Sequence, residues 1–228
     1  MGRACIVTVM AQHDWKTVPV IMMDFEGGPV SGVVEYGWVR LEGGIIVEVE
    51  TALCRPSGHI SEQEAEVHGI RDSDVGSRSP FRSYFEKFVG LRRQGVFAAH
   101  NRFAENTFLK NAWPLPPVVP DWRQPDGSAQ EWGPWIDTLT IYKALYPGLA
   151  SYSLGELVVQ FGIEDDLKEL AVHHCPEERC KPHCALYDAL ASALLLIKLE
   201  SNDELKDRMS LAWLLQLSDG SSPQQELF

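Results

Sequence analysis

The chain alternates between two hydrophobic periods. Val18, Val20, Ile21, Met22 and Met23 make a near-continuous apolar run that ends in Asp24, Phe25, Glu26 and two glycines. Such a run, closed by glycine, predicts a buried strand over residues 18–26. Residues 33–41 are a second β-rich run, and Glu42-Gly43-Gly44 marks a hairpin turn. Residues 45–53 return with Ile45, Val47, Val49 and Thr51 in alternation. The sheet is therefore expected to begin as an antiparallel meander. The period then changes. Ser61 with Glu64 three residues on is a capping box, and Gly69 offers a C-terminal cap. Ser79-Pro80 predicts another helix start, with Phe81, Tyr84, Phe85, Phe88 and Val89 as the apolar stripe. Residues 95–99 predict a short buried strand, and residues 102–112 a helix with Phe103, Phe108 and Leu109 inward.

From Pro114 to Pro134 the pattern lapses into a loop rich in Pro and Trp. A structureless stretch of that length is usually functional or mobile. Residues 135–136 predict a strand, Asp137-Thr138 a cap, and residues 139–146 a helix stopped by Pro147-Gly148. Ser153 with Glu156 repeats the capping-box pattern, in a helix ending at Phe161-Gly162-Ile163. Residues 173–184 form a Cys/His-rich connection, 185–199 a strongly apolar helix, and 202–217 a final amphipathic helix. Strands first, then helices alternating with strands, predict one mixed α/β domain over residues 18–217. A loosely attached leader (1–17) and a flexible tail (218–228) would flank it.

Composition agrees with one globular domain: 228 residues, 45% hydrophobic and 23% charged. No apolar run approaches the ~18 residues of a membrane span, and the N-terminus lacks the pattern of a secretory signal. A cytoplasmic protein is expected. Cys5, Cys54, Cys175, Cys180 and Cys184 are odd in number and widely spaced, which fits a reducing compartment. The net charge of −12 argues against tight, nonspecific nucleic-acid binding. The charge is uneven, however. Residues 71–110 hold eight Lys/Arg against four acids, and residues 150–228 hold six against fourteen. One flank could meet a polyanion, and a merely solvated surface explains the same counts equally well.

The chemistry starts at Asp24 and Glu26. Two residues apart on a strand, their side chains point the same way. Paired carboxylates repel unless a cation joins them, and their oxygens suit hard cations such as Mg²⁺. Alone, such a pair reads most simply as two solvated acids at a strand end. Three further segments bear on it: EAEVHGI at residues 64–70, AAHNRFAENTFL at 98–109, and HCALYDA at 183–189. This set, in this order and spacing, resembles the DEDD exonucleases of the histidine-bearing subgroup. Its members include the proofreading epsilon subunit of bacterial DNA polymerase III, ribonuclease T and oligoribonuclease. The resemblance covers about residues 18–200, including the linker-like DTLTIYKALYPGLASYSLGEL.

The resemblance implies a ribonuclease-H-like fold: a mixed sheet, antiparallel meander plus parallel strands, flanked by helices. It implies a metal-dependent 3′→5′ exonuclease releasing nucleoside 5′-monophosphates from DNA. Trimming of RNA or oligoribonucleotides is the alternative, and a non-catalytic nucleic-acid-binding module is a third reading. Asp24, Glu26, Glu105 and Asp188 would hold two Mg²⁺ ions, with Mn²⁺ as substitute. His183 would be the general base, a role suited to a side chain that titrates near neutrality. Phe25, Gly27, Gly28, His68, Ile70 and Asn101 would line the place of the terminal nucleotide. One position departs from the pattern. The family's second motif carries Asp where this chain has Glu105, whose extra methylene moves the carboxylate by about 1.5 Å, one C–C bond. Glu105 is read as a working substitute; weak or Mn²⁺-preferring catalysis is the alternative.

The tail Gln224-Gln225-Glu226-Leu227-Phe228 resembles, through Gln224, Leu227 and Phe228, the peptide by which replication proteins dock on the sliding DNA clamp. Folding back of Leu227 and Phe228 onto the domain is the competing reading. Cys175, Cys180 and Cys184 with one His could form a zinc site, but their spacing is unusual and a connecting loop is favoured. Trp113, Trp122, Trp132 and Trp135 could stack on bases, with packing of the loop favoured. Arg92-Arg93 reads as a helix-end or solvated pair rather than a strand guide.

Overall fold

The computed structural model describes residues 14–124 and 127–220. Its strands are β1 (Val20–Gly28), β2 (Gly32–Glu42), β3 (Ile45–Leu53), β4 (Val96–Ala99), β5 (Val118–Pro120), β6 (Ser128–Gln130) and β7 (Trp135–Asp137). Its helices are α1 (Glu62–His68), α2 (Asp72–Val75), α3 (Phe85–Gln94), α4 (Arg102–Ala112), α5 (Thr138–Leu145), α6 (Leu154–Gln160), α7 (Glu164–His174), α8 (Ala185–Glu200) and α9 (Leu211–Ser218). Five strands form one sheet in the order β3-β2-β1-β4-β7. The first three pair antiparallel, while β1–β4 and β4–β7 are parallel. The expected meander with added parallel strands is thus present, and helices flank it.

β1 is central and buried on both faces, which is why its sequence is an apolar run rather than an alternation. Val20 and Met22 face a layer built with α8, α9, Ile141, Tyr142 and Leu157. Ile21, Met23 and Phe25 face a second layer with Tyr36, Phe81, Phe88, Phe97 and Leu109. Full burial of each such side chain contributes about 1.5–3 kcal/mol. The same two-residue period carries Asp24 and Glu26 onto the α8 side. α8 is apolar nearly all round, as a core helix must be. It comes down directly on β2 at Gly37, where a Cβ would lie 2.2 Å from the Leu186 backbone nitrogen. No larger residue permits that approach, and it brings the first turn of α8 next to β1.

The structure corrects several expectations. Phe103 is 66% exposed; the inward face of α4 is Glu105 and Leu109. Residues 202–210 are not helical in the expected way: a 3₁₀ turn spans Lys206–Arg208, and Ser210 caps α9 by accepting from the Trp213 N–H. Ser153 caps α6 without a side-chain hydrogen bond, so its capping box does not form, whereas the Ser61–Glu64 box does. The short helix α2, the helix α7 and the β5–β6 ribbon inside the Pro/Trp-rich loop were not anticipated. Residues 14–17 are attached rather than loose, since Trp15 is buried and its N–H donates to the Met209 carbonyl at 3.2 Å. Arg92 is fully buried, and its guanidinium donates to the carbonyls of Trp132 (3.0 Å), Gly133 (3.2 Å) and Pro120 (3.0 Å). That anchors the loop, and Trp113, Trp132 and Trp135 pack beneath it as expected. Gln224, Leu227 and Phe228 lie outside the described residues.

Candidate active site

A cleft of about 660 Å³ opens where β1, the start of α4, residues 150–154 and the start of α8 converge. Asp24, Glu26, Asn101, Glu105, His183 and Asp188 all line it. The five residues expected to carry the chemistry therefore share one cleft, with Asp24 and Glu105 outside the trio whose potential ligand atoms converge. Glu26, His183 and Asp188 are closest, with one potential ligand atom from each within 4.8 Å of the others. Among the described residues, that trio is the group able to hold a metal; Cys175, Cys180 and Cys184 remain free thiols and assemble no such group.

Local structure explains each placement. Glu105 stands at the fourth position of α4, facing in, and is buried. The residue before α4, Asn101, adopts φ 79°, and its N–H donates to Asp137 Oδ1 at 3.0 Å. Asp137 also accepts from the Leu139 and Thr140 N–H groups, so it is a cap, as expected, and not a spare metal ligand. His183 adopts φ 61°, with its N–H donating to Asp188 Oδ2 at 3.0 Å. His and Asn tolerate left-handed backbone better than most residues. Among the described residues these are the two non-glycines that adopt it, and both border the cleft.

The other expected contacts divide. Phe25 belongs to the cleft wall, yet its ring packs against Phe81, Phe88 and Phe108 at 5.3, 5.8 and 6.2 Å. Gly27, Gly28, His68 and Ile70 stand outside the cleft lining. Gly27 sits at a β-bulge with φ 142°, where a Cβ would lie 1.9 Å from the Gly32 carbonyl oxygen. Ile70 belongs to a small core with Val34, Ile60, Ala65 and Val75. His68 is buried, its Nδ1 accepting from the Ile70 N–H at 3.1 Å and its Nε2 unpartnered.

Four cleft or near-cleft residues escaped the sequence reading. His100 lines the cleft with both ring nitrogens engaged, Nδ1 with Thr138 Oγ1 (2.9 Å) and Nε2 with the Tyr152 carbonyl (3.0 Å). Burial holds its pKa down. Lys143 brings a cation to the wall, its Nζ 5.9 Å from the Tyr152 ring centre. Glu35 and Arg179 form a buried ion pair behind the site. A charged residue in the otherwise apolar VVEYGWV was the available signal for Glu35; Arg179 had none.

The electrostatics oppose several bare charges in this cleft. Burial, and then the charges of Asp188, Glu105, Glu26 and Glu35, push Asp24 well above the carboxylate range. Burial with Asp188 and Glu35 pushes Glu26 up to about 8, although Arg179 opposes the shift. Burial, with Asp137 and Glu26, pushes Glu105 up to about 8. Burial raises Asp188 to about 6, less because the His183 N–H stabilises its charged form. Glu105 Oε2 is buried without a hydrogen-bond partner, and an unsatisfied buried oxygen costs about 1–3 kcal/mol. Hard oxygen donors, one imidazole and mutual repulsion all fit a divalent cation.

A mixed-sheet α/β fold with carboxylates and an imidazole converging in one cleft at the ends of β1 and α8 has the donor set of a divalent-cation site. The exonuclease (RNase T) family model matches residues 24–196, and the chain belongs to that family. A stretch of 147 residues, 63% of this chain, is 29% identical to a DNA polymerase III of the PolC type from Thermotoga maritima, of which it spans 10%. Exonuclease X in complex with 5′ overhanging duplex DNA shares the fold at TM-score 0.59 and 23% identity, over 86% of this chain and 99% of that one. Exonuclease I does so at TM-score 0.61 and 16% identity, over 84% and 43%. The fold is thereby ribonuclease-H-like, as the resemblance implied. No helix of the described residues is long and apolar enough to cross a membrane.

Proposed function

We propose that the chain is a metal-dependent 3′→5′ exonuclease that removes nucleoside 5′-monophosphates from DNA ends in the cytoplasm. The observation that carries this reading is the convergence of four carboxylates and a histidine in one cleft, with a buried, unpartnered Glu105 oxygen among them. Asp24, Glu26, Glu105 and Asp188 would hold two Mg²⁺ ions, or Mn²⁺ in their place. Bound there, the ions would neutralise charge on the scissile phosphate and on the leaving oxygen.

His183, exposed at the cleft mouth, takes the proton from the attacking water. Oxygen adds to phosphorus, the phosphorus–O3′ bond breaks, and O3′ is protonated from solvent. The shortened strand keeps its 3′-hydroxyl, and the terminal nucleotide leaves with its 5′-phosphate. Phe25 and Asn101 flank that nucleotide from the cleft wall. Gly27, Gly28, His68 and Ile70, outside the cleft lining, would act on that nucleotide only through the shape of the wall behind it. Lys143 is placed to meet a backbone phosphate. DNA is favoured because the relative from Thermotoga maritima is a DNA polymerase and Exonuclease X is seen with duplex DNA. Gln224, Leu227 and Phe228 would tether the enzyme to a sliding clamp, raising its effective concentration at DNA.

Matched 3′-labelled DNA and RNA strands, digested with Mg²⁺, Mn²⁺ or EDTA, test the reading. Mononucleotides should appear from DNA, require the metal, and start at the labelled end. Release from RNA alone would transfer the activity to RNA trimming, and no release from either strand would refute a nuclease. Deleting residues 224–228 should abolish clamp binding and spare digestion of short oligonucleotides.

A further inference from the structure

We infer that Arg179 and Glu35 are positioning residues for His183, a role that rests on the exonuclease reading above. Arg179 lies in the Cys/His-rich connection between α7 and α8. Its Nε and Nη2 donate to the two carboxylate oxygens of Glu35 at 3.0 and 2.5 Å. Glu35 is 1% exposed and sits opposite Glu26 in the β1–β2 register. The same guanidinium reaches two more acceptors: Nη1 donates to the His68 carbonyl at 2.6 Å, and Nη2 to the His183 carbonyl at 3.3 Å. Glu35 Oε2 in turn accepts from the Ala185 N–H at 2.9 Å. One side chain therefore ties the His183 backbone to the sheet and to the end of α1, while its partner fixes the first residue of α8.

His183 needs such a clamp. Its φ of 61° is a left-handed conformation. For a non-glycine residue that costs of order 1–3 kcal/mol and persists only where the surroundings over-determine it. Three bonds do so here: N–H to Asp188, carbonyl to Arg179, and the Ala185 N–H to Glu35. Among the described hydrogen bonds none is made by the imidazole of His183, so the hydrogen bonds that position this residue act on its backbone. A planar fork with several fixed donors suits this task, and lysine cannot reproduce it.

The test is steady-state digestion of a single-stranded DNA oligonucleotide by full-length wild type, Arg179→Ala, Arg179→Lys and Glu35→Gln, each checked for folding by its melting transition. Misplacement of a catalytic group by about 1 Å costs about 100-fold. Arg179→Ala should lose about that much in kcat with KM changed less than about threefold, and Arg179→Lys should recover little. Should Arg179→Ala fail to fold, Arg179→Lys and Glu35→Gln carry the same kcat-against-KM comparison. In a His183→Ala background, replacing Arg179 should add less than about threefold, because residues acting as one unit are not additive. Losses that multiply in the double variant would overturn the inference. So would full kcat in a folded Arg179 variant. Absence of cleavage by wild type would instead refute the exonuclease reading.

Discussion

Removing divalent metal should make this protein less stable as pH rises, and the acid cluster sets the size of the effect. In the unfolded chain, glutamates ionise near about 4.3. In the folded, metal-free protein, Glu26 and Glu105 are held at about 8. Between those values the unfolded state sheds protons that the folded state keeps. The contribution is thus fully present below about pH 4 and is lost as pH rises through 8. One carboxyl held protonated costs about 1.4 kcal/mol per pH unit, or about 4 kcal/mol between about pH 5 and pH 8. The acids repel one another and Arg179 offsets part of the burden, so about 4 kcal/mol serves for the cluster as a whole. For a chain of this size that is about 10 °C in melting temperature. His68 and His100, whose pKa values burial holds down, act in the opposite sense. The diagnostic is therefore the gap between EDTA and Mg²⁺ melting curves, which should widen by about 10 °C from about pH 5.5 to about pH 8. A gap independent of pH would refute the reasoning.

Asp24→Asn should reduce nuclease turnover by about 10²–10³-fold and raise the melting temperature of the metal-free protein near pH 8, since it removes a carboxyl whose ionisation burial and the neighbouring acids oppose. Glu105→Asp should lower activity about tenfold in matched Mg²⁺ assays, because the shorter side chain withdraws the carboxylate; activity at or above wild type would mean that the longer acid is not what the pocket fits. Gly37→Ala should destabilise by about 1–3 kcal/mol or more in urea titrations, because the added carbon meets the backbone of α8, which cannot rotate aside.

The reading of the sequence reached what local pattern encodes. Strand β1 shows as an apolar run because both its faces are buried. The Ser61–Glu64 box, the Asp137 cap and helix Arg102–Ala112 follow from residues within one turn of each other. The acids and His183 were legible because family-like spacing surrounds each of them. What local pattern does not encode was missed. Arg92 looked like a helix-end cation, yet it is buried because its acceptors are carbonyls about 28 to 41 residues downstream. Glu35 and Arg179 are 144 residues apart, and neither reveals the other. Phe103 was assigned inward on helical period alone, but α4 turns Glu105 and Leu109 to the interior.

The two left-handed residues at the cleft share a device: a carboxylate accepts the N–H of each, Asp137 for Asn101 and Asp188 for His183. For Asp188 the device has an electrostatic consequence. Its hydrogen bond to His183 stabilises the charged form, so its pKa rises to about 6 while those of Glu26 and Glu105 rise to about 8. Burial raises all three, and Asp188 is raised least because the His183 N–H stabilises its charged form. One Asp188 oxygen is committed to the histidine backbone. Positive charge brought to the cleft would favour the ionised form of all of these acids. The bond that holds the His183 backbone in its left-handed conformation is the same bond that favours the ionised form of Asp188.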